Sequence, residues 1–165
     1  MHQRTINNSV EIVGIGLHKG TPVKMGLLPL GSNEGIIFHR KDLGISIELD
    51  SQHITDTTLA TTLGKDGASV STIEHLCSAL FAYGIDNILI EIDNNEVPIM
   101  DGSSIGFCML LEEAGVRELE EYKRVLLIKD EIKVSDGKKW ASFSPSKNLE
   151  FDFTIEFDHP IIRRQ

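Results

Sequence analysis

Glu74 and His75 stand side by side in Ser71-Thr72-Ile73-Glu74-His75-Leu76, at the start of a stretch with helical spacing. A carboxylate beside an imidazole can run hydrolysis if a metal joins them: a ring nitrogen holds the metal, and the carboxylate takes a proton from the attacking water. One imidazole is not enough, because catalytic zinc sites typically use three protein ligands and keep a position open. The remaining histidines, His2, His18, His39, His53 and His159, form no helical pair with His75, and His53-x-x-Asp56 falls in loop-like sequence. The residues alone therefore yield half a site. They also carry a purely structural reading. Ser71-x-x-Glu74 has the spacing of a capping box, in which the serine bonds the third helical amide and the glutamate reaches back to the cap. The two readings differ in whether the carboxylate is free to turn toward a metal.

Two other stretches have chemical potential. Gly14-Ile15-Gly16-Leu17-His18-Lys19-Gly20 sets three glycines around His18. No helical pattern follows to offer an N-terminus to a phosphate, so the stretch reads as a hairpin or bulge that needs positive φ. In Val97-Pro98-Ile99-Met100-Asp101-Gly102-Ser103-Ser104 the Asp101 carboxylate could act as a base, yet Asp-Gly before serine is ordinary turn and cap chemistry.

The elements that must position these residues follow from apolar period. Val23, Met25 and Leu27 alternate, Ile36-Ile37-Phe38 follows a Gly-Ser-Asn turn signal, and Ile45, Ile47 and Leu49 alternate again, which predicts sheet with hairpins. From Val70 to Tyr83 the period changes. Ile73, Leu76, Cys77, Leu80 and Phe81 make one helical stripe that stops at Gly84, a suitable residue just past a helix end. His75 falls opposite that stripe, among Ser71, Ser78, Ala79 and Ala82, a face of small residues suited to close approach. Asp86–Asp93 reads as a buried strand, and Ser103 or Ser104 can cap a second helix running through Ile105, Phe107, Cys108, Leu110 and Leu111 to Gly115. The charged stretch Glu118–Lys123 marks a boundary. Three further strands are predicted beyond it, at Val125–Val134, Lys139–Ser144 and Leu149–Phe157; the last alternates Leu149, Phe151, Phe153, Ile155 and Phe157 with polar residues, and no helical pattern follows to cover that face.

The expected fold class is therefore α+β, a two-layer arrangement of β-sheet with two helices on one face. The expected domains are 1–121, carrying Glu74 and His75, and 122–165, the opening strands of a second, similar layer. Apolar residues at 41% and charged residues at 25% are those of an ordinary globular chain. A net charge of -9 argues against a general nucleic-acid or anionic-membrane surface. No run reaches the roughly 18 apolar residues of a membrane span, and no signal-peptide h-region follows Met1, so the expected location is cytoplasmic. Cys77 and Cys108 both lie in apolar helical segments, which speaks against a disulfide or a cysteine-rich zinc site.

Arg4–Gly20, Ser71–Ile92, Glu96–Ser104 and Asp152–Pro160 together resemble one family along the whole chain: UDP-3-O-acyl-N-acetylglucosamine deacetylase, the zinc amidase of lipid A biosynthesis in Gram-negative bacteria. The resemblance implies that His75 is a zinc ligand and that Glu74 is the general base activating water for attack on the N-acetyl carbonyl. It places His18 near the catalytic cleft, Glu156 and Phe157 at the uridine end of the substrate, and Ala60 and Thr61 near the acyl-chain passage. Members of the family are longer and fold as two similar α+β layers with their helices facing one another. Their other zinc ligands, a His-x-x-x-Asp pair, and their catalytic acid come from the second layer, beyond Arg163-Arg164-Gln165. The implied function is the N-terminal portion of the deacetylase, inactive without its other half. The alternative from a different class is a non-catalytic module on the same fold that pairs with itself or with a partner through the exposed C-terminal strands.

Overall fold

Apolar side chains at alternate positions of a strand share one face. Such runs build the sheet of Met1–Lys123, the first of two units in the computed structural model, which describes residues 1–165; the second unit is Arg124–Gln165. The first unit opens with strands β1 (His2–Ile6), β2 (Val10–Ile15), β3 (Pro22–Pro29), β4 (Ile36–Arg40) and β5 (Ile45–Glu48). A 3-10 turn at Ser51–His53 leads into β6 (Ile54–Asp56), β7 (Thr62–Lys65) and β8 (Ala68–Val70). Helix α1 (Glu74–Tyr83), strand β9 (Ile88–Ile92), helix α2 (Ile105–Ala114) and strand β10 (Val116–Tyr122) complete it.

The main sheet has the order β2-β3-β9-β4-β5. Its centre is β9, the predicted buried strand, antiparallel to β3 with Leu27 opposite Ile90 and parallel to β4 with Phe38 opposite Ile90. Val23, Met25, Leu27, Phe38, Ile47, Ile88, Ile90 and Ile92 are all buried in one core with Leu76, Ala79 and Leu80 of α1 and Phe107, Leu111 and Ala114 of α2. Each large aliphatic side chain taken fully out of water there contributes about 2 kcal/mol before entropy is counted. The opposite face is charged: Lys24 pairs with Glu11 at 2.9 Å and Lys41 with Glu91 at 2.8 Å. The fold is thus α+β, with both helices against the apolar face. Strands β6, β7 and β8 form a separate small sheet, and β1 pairs with β10. The charged stretch 118–123, read from the sequence as a boundary, lies largely within β10, where Glu118 opposes Arg4.

Helix α1 departs from expectation at its start and keeps to it at its end. It begins at Glu74, and Val70 belongs to β8. Ser71 caps nothing: the position before the helix is Ile73, which makes no side-chain cap bond, while the Ser71 hydroxyl donates to the Asn95 carbonyl at 3.1 Å. At the far end Gly84 adopts φ 65° and its amide reaches the carbonyls of Leu80 and Phe81, as a glycine past a helix end should. The buried stripe is also rotated from the expected one. Phe81 is 65% exposed and Ala79 is 0% exposed, because α1 packs against α2 as well as the sheet and a methyl group lets the second helix approach. The two helices are further joined where the Tyr83 hydroxyl donates to the Glu112 carboxylate at 2.5 Å.

In the second unit, β11 (Ile132–Asp136) and β12 (Lys139–Phe143) form a hairpin in which Val134 opposes Ala141. The predicted strand from Val125 is shorter than expected, starting at Ile132. The predicted strand Leu149–Phe157 is absent as a regular element. A strand exists only where a neighbour completes its ladder, and here the backbone bonds run only from Ile155 to Gln165 and from Phe157 to Arg163. Leu149, Phe151, Phe153, Ile155 and Phe157 are all exposed.

A candidate catalytic site at the start of α1

Three segments far apart in sequence meet where α1 begins. The first is the turn between β2 and β3, which carries His18. It is a hairpin, closed by the Gly16 amide on the Thr21 carbonyl at 3.0 Å and the Gly20 amide on the Gly16 carbonyl at 3.0 Å. Positive φ explains only Gly20, at 63°. The other two glycines answer to close approach: a Cβ on Gly14 would lie 2.6 Å from the Pro98 Cβ, and one on Gly16 would lie 2.5 Å from a Glu96 carboxylate oxygen.

The second segment is Asn95–Ser104, against which those glycines pack. The Ile99 amide donates to the Ile15 carbonyl at 3.0 Å, and the Val97 amide to the Ser71 carbonyl at 3.0 Å. Asp101 performs turn chemistry, as its sequence suggested. Its Oδ1 accepts from the Ser103 amide at 3.0 Å and the Ser103 hydroxyl at 2.9 Å, and that hydroxyl in turn accepts from the Ile105 amide at 3.2 Å. The Ser103 amide, then its hydroxyl, hold the Asp101 carboxyl below its ordinary range.

The third segment is the chain from Ala60 to His75. The Ile73 amide points at the Thr61 carbonyl at 3.5 Å, and the Thr61 amide donates to Glu74 Oε2 at 3.1 Å. Glu74 and His75 are both half-buried, as are Ala60 and Thr61, whereas His18 is exposed. Thr72 is buried and sits at φ 59°, a left-handed conformation that is costly for a β-branched residue.

The structure thus gathers Glu74, His75, Thr61 and Ala60 at one place, with the His18 turn linked to it through Glu96. Glu156 and Phe157 belong to the second unit. There Glu156 bridges Arg164, and the Phe157 amide donates to the Arg163 carbonyl at 3.0 Å. Glu96 escaped notice in the sequence. Its signal was a lone carboxylate abutting the apolar run Val97-Pro98-Ile99, a place where an acid is either at the surface or engaged by several donors.

Chemically, the arrangement offers one imidazole next to a carboxylate whose direction is set by a backbone amide. A half-buried imidazole suits a metal ligand, and the adjacent carboxylate suits a base. No three His, Cys, Asp or Glu side chains gather at metal-holding distance. Cys77, one turn along α1, is no substitute, since burial first and the Glu74 charge second push its thiol up to about 12.

Comparison with known proteins agrees along the whole chain. The family model described as UDP-3-O-acyl N-acetylglycosamine deacetylase matches residues 3–165. The UDP-3-O-acyl-N-acetylglucosamine deacetylases of a Nitratiruptor species and of Wolinella succinogenes are each 59% identical over 165 residues, all of this chain and 55% of theirs. One from Helicobacter pylori is 54% identical over 165 residues, again all of this chain and 56% of the relative. The chain spans about half the length of the curated relatives it matches. With the family model covering nearly every residue, the chain belongs to the UDP-3-O-acyl N-acetylglycosamine deacetylase family.

Proposed function

We propose that this chain supplies the general base and the first zinc ligand of an amidase that removes the N-acetyl group from UDP-3-O-acyl-N-acetylglucosamine in lipid A biosynthesis. Glu74 is the base and His75 the ligand. The observation that carries this reading is the hydrogen bond from the Thr61 amide to Glu74 Oε2 at 3.1 Å. It holds one carboxylate oxygen and leaves the other to take a proton, and it replaces the capping-box role that would have occupied the side chain. Zinc, when bound, supplies a Lewis acid to the carbonyl oxygen. Water then attacks the acetyl carbon, Glu74 takes its proton, the C–N bond breaks and acetate leaves the amine. The two ligands that His75 lacks, and the acid that protonates the amine, are assigned to the part of the longer relatives that this chain does not match. The 165-residue chain alone is accordingly inactive and holds zinc weakly.

His18 lines the cleft in this reading, Ala60 and Thr61 border the acyl passage, and Glu156 and Phe157 receive the uridine end. No helix of the chain is long and apolar enough to cross a membrane, and cytoplasmic location completes the proposal. The isolated 165-residue chain also self-associates, since Leu149, Phe151, Phe153, Ile155 and Phe157 are all exposed. Light scattering that showed a concentration-independent monomer at micromolar protein would remove this last element.

The test uses the full-length product of the native gene and the UDP-sugar substrate. Acetate release that is lost to a chelator and restored by zinc is the expected result. A folded protein that releases no acetate with zinc present would overturn the reading.

A further inference from the structure

Glu96 is 1% exposed, and its carboxylate accepts three hydrogen bonds. Oε1 accepts from the His18 amide at 2.9 Å and from the Thr72 hydroxyl at 3.1 Å, and Oε2 accepts from the Lys19 amide at 3.4 Å. Oε2 also occupies the space left by the missing side chain of Gly16. One buried carboxylate therefore joins the His18 turn to Thr72, two residues before Glu74. Thr72 is itself strained at φ 59°, and such a conformation persists only where its surroundings over-determine it. The bond from its hydroxyl to Glu96 is one such restraint. The bridge between Ser71 and Glu96, with the Ser71 amide on the Asn95 carbonyl at 2.9 Å, fixes the same segment from the backbone side.

We propose that Glu96 is a positioning residue for the site: by tying the His18 turn to the strained Thr72 it sets where α1 begins, and hence where Glu74 and His75 are presented. The catalytic consequence rests on the function proposed above; the structural link does not. A buried acceptor of three donors cannot be removed without leaving them unpaired. Glutamine keeps one oxygen for His18 and Thr72 but turns an NH2 toward the Lys19 amide, so it restores the link in part. Alanine removes it.

The experiment compares wild type, Glu96→Ala, Glu96→Gln and Thr72→Val in the full-length protein. Thr72→Val keeps the branched shape and deletes only the hydroxyl donor. Two readouts are taken: steady-state kinetics per folded molecule, and amide hydrogen exchange resolved by peptide. For Glu96→Ala, kcat should fall by about tenfold to a hundredfold with KM changed far less, the loss expected when reacting groups are misplaced by about 1 Å. Exchange should quicken at His18–Lys19 and at Ser71–Glu74 while β4 and β5 keep their protection. Glu96→Gln should recover most of both, and Thr72→Val should quicken exchange at Ser71–Glu74 with a smaller fall in kcat. If Glu96→Ala does not fold, the Glu96→Gln and Thr72→Val results decide. Exchange that rises evenly across residues 1–123, or kcat within twofold of wild type in Glu96→Ala (in Thr72→Val where Glu96→Ala does not fold), would overturn the proposal. If the wild type releases no acetate, the proposed function fails, and the exchange pattern still decides whether Glu96 links the two segments.

Discussion

The Thr61 amide donates to Glu74 Oε2 across 3.1 Å, and Ser71, the residue placed to cap the same helix, gives its hydroxyl to Asn95 instead. Glu74 is thereby held from the small sheet side by a backbone group thirteen residues upstream, with no duty to the helix start. A backbone donor aims the carboxylate without neutralising it, which is what a base needs.

Gly14→Ala should destabilise the chain although its φ is ordinary. The added methyl would sit 2.6 Å from the Pro98 Cβ, so the hairpin and the 95–104 segment must part. Overpacking of this kind costs about 1–3 kcal/mol. Urea denaturation measures it; a midpoint equal to wild type would show that the two segments are not in the contact described.

How much of this was legible in the sequence depended on how local the cause was. Alternation in Val23, Met25 and Leu27 located β3 and its buried face, because strand burial is a property of neighbouring residues. Gly84 announced the end of α1 for the same reason. The start of α1 was misread because the partner that takes the Ser71 hydroxyl, Asn95, lies 24 residues away. Phe81 and Ala79 exchanged roles because the packing of α2 onto α1 is a tertiary fact. Leu149–Phe157 has the alternation of a strand, yet alternation supplies only a face and a ladder needs a neighbour. In the site, Glu74 and His75 were visible by type and adjacency. Glu96 was not, since its partners His18 and Thr72 lie 78 and 24 residues off.

Cys77 should resist alkylation. Burial is the main cause, and Glu74 the second, of a rise from 9.0 to about 12. Below pH 9 this leaves about a thousandfold less of the reactive thiolate than an unshifted thiol would have. Iodoacetamide labelling followed by peptide mass spectrometry should show Cys77 reacting far more slowly in native than in denatured protein. Equal rates in the two states would contradict the shielding of this half-buried thiol within α1.

Tyr83 should ionise late. Its hydrogen bond to Glu112 is the first cause and burial the second of a phenol pushed up to about 12 from an ordinary 10.0. The fold favours the protonated phenol, so the associated stability is fully present below the unfolded value near 10 and is lost as pH rises through the folded one. Absorbance at alkaline pH reads the transition, and Glu112→Gln should move it downward by removing the carboxylate. A titration curve for Glu112→Gln that superimposes on wild type would refute the link between α1 and α2.

The central claim is that Glu74 acts as base and His75 as zinc ligand, and the most direct measurement pairs zinc content with acetate release in full-length Glu74→Gln and His75→Ala. Glutamine still accepts from the Thr61 amide, so Glu74→Gln should fold normally, keep its zinc and lose about 10²–10⁴ in kcat with little change in KM. His75→Ala should lose both zinc and turnover. Turnover by Glu74→Gln at the wild-type rate, or stoichiometric zinc retained by His75→Ala through dialysis, would contradict the account.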